Sequence, residues 1–211
     1  MLWTQFWFVL PISSGWMRWN LFLAFVPWIL SIWLFRWAWS RSPLWWVGVL
    51  VFLAFLPNAP YVLTDLIHLV QEIQSTESLL VNTLVTIPKY SLFVVLGFGA
   101  YVLSLVNVGL YLKAQGLAQW VLPMELLLHA LSAIGINLGR FDRFNSWDLM
   151  MHPKQVVATT MQNLAEPRSL WMMTIGTLII TVLYWLSKQI VLALILRYQY
   201  LTSEAFKMEN D

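Results

Sequence analysis

LWWVGVLVFLAFLPNAPYVLTDLIHLVQEI, residues Leu44–Ile73, begins as unbroken apolar sequence and then changes its rule. Leu44–Leu56 carries no charge, yet at about 1.5 Å per residue it reaches only about 20 Å, short of the ~30 Å hydrocarbon core of a bilayer. Pro57 and Pro60 then remove two backbone donors and stop a regular helix. From Tyr61 the polar positions Tyr61, Thr64, Asp65, His68, Gln71 and Glu72 recur at helical spacing among Val62, Leu63, Leu66, Ile67, Leu69, Val70 and Ile73. That is an amphipathic helix of 3.6-residue period, and Asn58 stands where a cap belongs, just ahead of Pro60. The stretch reads as a transmembrane helix broken at Pro57–Pro60. Its second half lines a polar cavity or lies in the interface, since broken backbone at membrane depth is tolerated only where protein or a cavity receives it.

Composition agrees. The chain is 60% hydrophobic and 10% charged, with mean hydropathy +0.70. A soluble domain needs about 25% charged residues to cover its surface. The apolar runs are continuous, so the fold class is all-α and polytopic, not a barrel of alternating strands. A net charge of +2, with no dense basic run, argues against nucleic acid as a partner. The absence of cysteine removes disulfides, iron–sulfur clusters and thiolate chemistry. Many of the 14 tryptophans (Trp16, Trp19, Trp37, Trp39, Trp45, Trp46, Trp120, Trp171) fall near span ends, where indole prefers the headgroup level, and they read as anchors.

Five spans are expected: Trp19–Phe35, with Pro27 as a kink position; the broken second span; Tyr90–Leu112; Leu117–Leu138; and Leu170–Leu196, with Lys188 snorkelling. Residues 1–18 read as an interfacial segment, because Leu2–Ile12 is apolar but too short to span and lacks the flanks of a cleavable signal. Residues 19–198 form the membrane domain and residues 199–211 a polar tail. Gln74–Thr86 reads as a polar connector. Gly97, Ala100, Ser104 and Asn107 share a face of span three, suited to close packing and an interhelical hydrogen bond from Asn107.

A second polar island, Gly139–Pro153, follows span four. Spans three and four separate it from the first island, so both surface on one side of the membrane and point to one composite site. The basic residues split evenly between the two sides. Arg36 and Arg41 after span one favour the site side facing outward.

The candidate polar site comprises Asn58, Tyr61, Thr64, Asp65, His68, Arg140, Arg143, Asn145, Ser146, Trp147 and Asp148. Asp65/His68 at i,i+3 and Asp148/His152 at i,i+4 each share a helical face. Together the four could hold a divalent metal such as Zn, Mn or Fe, a set suited to metal-assisted hydrolysis. The competing arrangement is an ion-pair network in which Arg140 and Arg143 neutralise Asp65 and Asp148. The same guanidinium groups match a phosphate, and with Phe141, Phe144 and Trp147 they suggest a phospholipid or polyprenyl-phosphate headgroup site. Within span four, Glu125 and His129 form an intramembrane polar pair one turn apart, suited to a proton relay or to one hydrogen bond with each other.

Two motifs resemble a known family. Leu56-Pro57-Asn58-Ala59-Pro60-Tyr61 with Thr64-Asp65 and His68-Leu69 resembles its first signature. Gly139-Arg140-Phe141, Arg143 and Asn145-Ser146-Trp147-Asp148 resemble its second, and Trp19-Asn20-Leu21 fits the opening of span one. The family consists of small multi-pass bacterial membrane proteins catalogued as a domain of unknown function, number thirteen sixty-one. The resemblance implies a multi-pass fold and a cell-membrane location, in bacteria the inner membrane, but no activity. Asn137 and Asp142 depart from the more apolar or aromatic residues it leads one to expect.

Three functions fit these residues: a binding or accessory protein contacting membrane lipids or another membrane protein; a metal-assisted enzyme acting on a lipid-linked or phosphorylated substrate; and a small transporter or channel subunit using Glu125 and His129.

Overall fold

The computed structural model describes residues 14–38, 41–76 and 78–210. Among them there are helices and turns but no strands, and five segments are long and apolar enough to cross a membrane. Span one is α1 (Gly15–Ile32), extended by a π turn at Trp33–Trp37. Span two is α2 (Pro43–Phe55), a single turn α3 (Asn58–Tyr61), and α4 (Leu66–Ser75). A short helix α5 (Leu79–Val81) and a π turn at Asn82–Thr86 lead into α6 (Ile87–Ala114), span three. Span four is α7 (Val121–Arg140). The linker holds α8 (Asp148–Met151) and α9 (Pro153–Ala165), and α10 (Pro167–Asn210) carries span five. The interfacial segment expected before Ser14 lies outside the described residues.

Several boundaries differ from the sequence reading. Span one starts four residues before Trp19, and α1 runs through Pro27 without interruption. The polar tail is helical backbone continuous with span five as far as Asn210. The expected connector Gln74–Thr86 is mostly helical, because Asn82 folds back. Its Nδ2 donates to the carbonyls of Ile73 and Thr76 at 3.4 and 3.0 Å, supplying donors that the end of α4 lacks.

The break in span two is a tightening of the helix. Pro57 and Pro60 cannot donate, so the chain falls back on i→i+3 bonds: Ala59 N–H to Leu56 O, Leu63 to Pro60, Thr64 to Tyr61 and Asp65 to Val62. Asn58 is not the expected N-cap. It sits inside α3, and its Nδ2 donates 2.9 Å to the Phe55 carbonyl. Around Trp33–Trp37 the opposite adjustment occurs. Ala38 N–H bonds to Trp33 O, one residue further back than in an α-helix, which leaves the Leu34 carbonyl without its usual donor. The Trp45 indole N–H fills that place at 2.9 Å. Trp45 is therefore buried and not the membrane anchor its position suggested, whereas Trp19, Trp37, Trp46, Trp120 and Trp171 are outward-facing.

α6 is the most enclosed span and α10 the least. α6 packs on α1, α3 and α7, while α10 leans mainly on α7. The small residues of α6 permit these approaches. A Cβ on Gly97 would lie 2.6 Å from Val62 Cγ1, so only glycine lets the break in span two touch α6. Asn107 Nδ2 donates to Ser31 Oγ on α1 at 2.9 Å, the interhelical bond expected of it. On α7, Gly135 is pressed against the Pro57 ring in the same way. The break thus lies at the centre of the bundle, against α1, α6 and α7.

Candidate functional site

The two islands meet. Asn58 Nδ2, whose other bond holds the Phe55 carbonyl, also donates 2.7 Å to Ser146 Oγ across 88 residues of chain. The Tyr61 ring packs over Gly139, where a Cβ would stand 3.4 Å from Tyr61 Cε2. Asp65 is buried to 2% exposure. Its Oδ2 accepts 2.8 Å from Asn20 Nδ2 of α1, and its Oδ1 lies 3.9 Å from the Arg140 guanidinium. Three segments distant in sequence therefore converge on one carboxylate.

The loop after α7 is shaped by its backbone. Phe141 and Asp142 N–H groups close on Asn137 and Leu138, and Phe144 N–H returns to Leu138 O at 3.1 Å. Arg143 between them takes φ +60°, the left-handed region that costs a residue with a Cβ about 1 kcal/mol. Its side chain is exposed, and among the described residues it makes no hydrogen bond or ion pair. Asp148 opens α8 by accepting from Asn145 N–H at 2.6 Å. That bond, above all, holds its carboxyl below the usual carboxylate range.

The site residues thus find different partners from those expected. Asp148 pairs with His152 (Nδ1 to Oδ1, 3.5 Å) and not with Arg143. His68 is hydrogen-bonded to Gln71 at 3.2 Å and lies against the Trp16 ring, centroids 4.8 Å apart. Thr64 Oγ1 donates to its own helix at Tyr61 O. Asp65, His68, Asp148 and His152 do not converge: among the described residues no three His, Asp or Glu side chains come together as a metal would require. The donor sets stay in separate pairs because Asn20 and Arg140 occupy one carboxylate and the turn at Asn145 occupies the other.

Glu125 and His129 do not bond each other as expected. Glu125 Oε1 accepts from Tyr184 at 2.6 Å and from Lys188 at 2.5 Å, both on α10. His129 Nδ1 is hydrogen-bonded to the Tyr101 hydroxyl at 2.7 Å, and Ser132 donates to the same hydroxyl at 3.4 Å. Lys188 does not reach away from the bundle; it closes a half-buried ion pair with Glu125.

Sequence reasoning gave no role to Asn20 or Asn163. Asn20 was open to detection, as a polar residue one turn into an apolar span. Asn163 Nδ2 donates to Asp142 Oδ2 at 2.7 Å and to Asn137 Oδ1 at 3.2 Å, so α9 is fastened to the end of α7 and the loop after it through both unusual positions. Beside this corner an apolar groove of about 310 Å³ opens between α3, α7 and α10.

Residues 19–182 match the family described as "Protein of unknown function (DUF1361)", a span that contains both islands and Asn20. The chain belongs to the DUF1361 family. No curated protein and no solved structure matches it. In this DUF1361 chain the two long motifs are the parts held together by the Asn58–Ser146 bond and the Asp65–Arg140 pair. It is a multi-pass helical membrane protein.

Proposed function

We propose that this DUF1361 protein is a membrane-embedded binding protein whose island site takes the phosphate of a lipid headgroup. The observation that carries this reading is Arg143, exposed, held in a left-handed conformation and lacking an anionic partner among the described residues. The closure of the loop on Leu138 sets that conformation and leaves the guanidinium exposed, without a partner among the described residues. Arg140, three residues earlier, is only loosely paired with Asp65 and keeps 29% of its side chain exposed. Two guanidinium groups three residues apart, at the end of α7 and in the loop after it, match a phosphate's oxygens better than two ammonium groups would. Phe141 and Trp147, both exposed, supply the aromatic rings that settle at headgroup depth. The reading puts the site on the outer face of the membrane, on the strength of Arg36 and Arg41 following span one.

The test is lipid retention by the purified protein. Native mass spectrometry should show phosphatidic acid bound in preference to phosphatidylcholine. Arg140→Gln/Arg143→Gln should lower that preference roughly tenfold or more, as expected for losing hydrogen bonds to a charged group. Equal retention of both lipids by the wild type, or an unchanged preference in the variant, would overturn the reading.

A further inference from the structure

The groove beside Arg140 adds the other half of a ligand. Its walls are Pro60 and Leu63 from the break, Ile136 from α7, and Met173, Gly176 and Ile180 from α10. Two polar residues, Thr64 and Asn137, also line it, and the oxygen of each is already engaged. Thr64 donates to Tyr61 O, and Asn137 Oδ1 accepts from Asn163. Apart from Asn137 Nδ2, which has no acceptor among the described residues, the lining side chains therefore offer carbon surface. At about 310 Å³ it lies at the lower end of small-molecule sites, and it is open along one side.

The polar rim is set by sequence adjacency. Thr64 and Leu66 line the groove, and Asp65 between them is paired with Arg140; Phe141, next to Arg140, also lines it. Neither arginine lines the slot itself, but Arg140 is one residue from Phe141 and is paired with a carboxylate flanked by two lining residues. The Arg140 charge is complementary to a phosphate, and the slot is complementary to a chain.

We infer that the groove holds one acyl chain of a bilayer phospholipid whose phosphate lies at Arg140 and Arg143. This rests on the headgroup reading and deepens it: the ligand is recognised by its chain as well as by its charge, so a free phosphate ester is a poor substitute. The second chain stays in the bilayer on the groove's open side.

Gly176 is the position that separates the two halves. A Cβ there would have only the Ala133 Cβ, at 3.6 Å, within 4 Å, an ordinary contact, so a side chain can start from this position of the groove wall. The experiment titrates the detergent-solubilised full chain with dioctanoyl phosphatidic acid, dihexanoyl phosphatidic acid and glycerol 3-phosphate, following tryptophan fluorescence. The wild type should bind the dioctanoyl lipid at least about tenfold more tightly than glycerol 3-phosphate. Gly176→Leu should bring the dioctanoyl affinity down toward that of glycerol 3-phosphate while leaving glycerol 3-phosphate binding unchanged. Gly176→Ala should show a smaller loss in the same direction, and serves if the leucine variant does not fold. Chain-length independence in the wild type, or unchanged dioctanoyl binding in both Gly176 variants, would overturn the groove inference. If Arg140→Gln/Arg143→Gln still loses binding in that case, the headgroup reading stands without it. If the arginine variant binds all three probes as the wild type does, the headgroup reading fails and the groove inference fails with it.

Discussion

Lys188→Met is expected to destabilise the protein by about 3 kcal/mol, the low end of the cost of stranding a buried charge, because Glu125 is buried and Lys188 only half-buried. Lys188 Nζ lies 2.5 Å from Glu125 Oε1, and the two side chains are 22% and 9% exposed. Tyr184 donates to the same oxygen, so it can partner Glu125 but cannot neutralise it. Methionine keeps most of the lysine's length and leaves the carboxylate without a counter-charge inside an apolar bundle. The double variant Glu125→Gln/Lys188→Met should recover most of the loss, because a glutamine can still accept from Tyr184 and no charge remains. Thermal unfolding of the purified variants in one detergent checks both. A Lys188→Met protein as stable as wild type would show that α7 and α10 are not clamped by this pair.

Gly135→Ala is the second large effect. The added carbon would lie 2.5 Å from Pro57 Cγ and 2.7 Å from its Cβ. A proline ring cannot rotate aside, so α7 must move off the break in span two. Overpacking of this kind costs about 1–3 kcal/mol, and here it outweighs the gain of up to about 1 kcal/mol that alanine brings to a helix. Gly99→Ala provides the contrast: its Cβ would meet no atom within 4 Å, leaving only the helix-propensity gain. The same unfolding assay should place Gly135→Ala below wild type and Gly99→Ala at or above it. The reverse order would mean that the break is not seated against α7.

Much of this architecture was legible in the sequence because it follows from transfer free energy and backbone chemistry. Apolar runs of sufficient length name the spans, and two prolines name the break. The count of spans between the islands places both on one side. The small face of α6 was visible for the same reason, since helical spacing alone aligns Gly97 with Ala100 and Ser104. What stayed hidden was the choice of partners across long distances. Asp65 had His68 and two arginines as candidates, but the closest contact is Asn20 on a helix 45 residues away. Glu125 and His129 looked like a pair because they are one turn apart; side chains of α10 and α6 reach each of them first. The role of Trp45 depended on a carbonyl freed by a π turn, which no residue type in Trp33–Trp37 announces. The left-handed Arg143 was equally silent, since its φ is set by how the loop closes back on Leu138.

The central claim is that the two islands form one site, and cysteine trapping tests it most directly. The chain contains no cysteine, so Asn58→Cys/Ser146→Cys gives a clean pair at positions whose side chains now touch at 2.7 Å. In membranes, a short bifunctional thiol reagent should link this pair within one molecule. It should not link Asn58→Cys/Gln115→Cys, because Gln115 is held by Arg41 at the other end of the bundle. Failure of the first pair to cross-link, with both thiols shown to be reactive, would contradict the account.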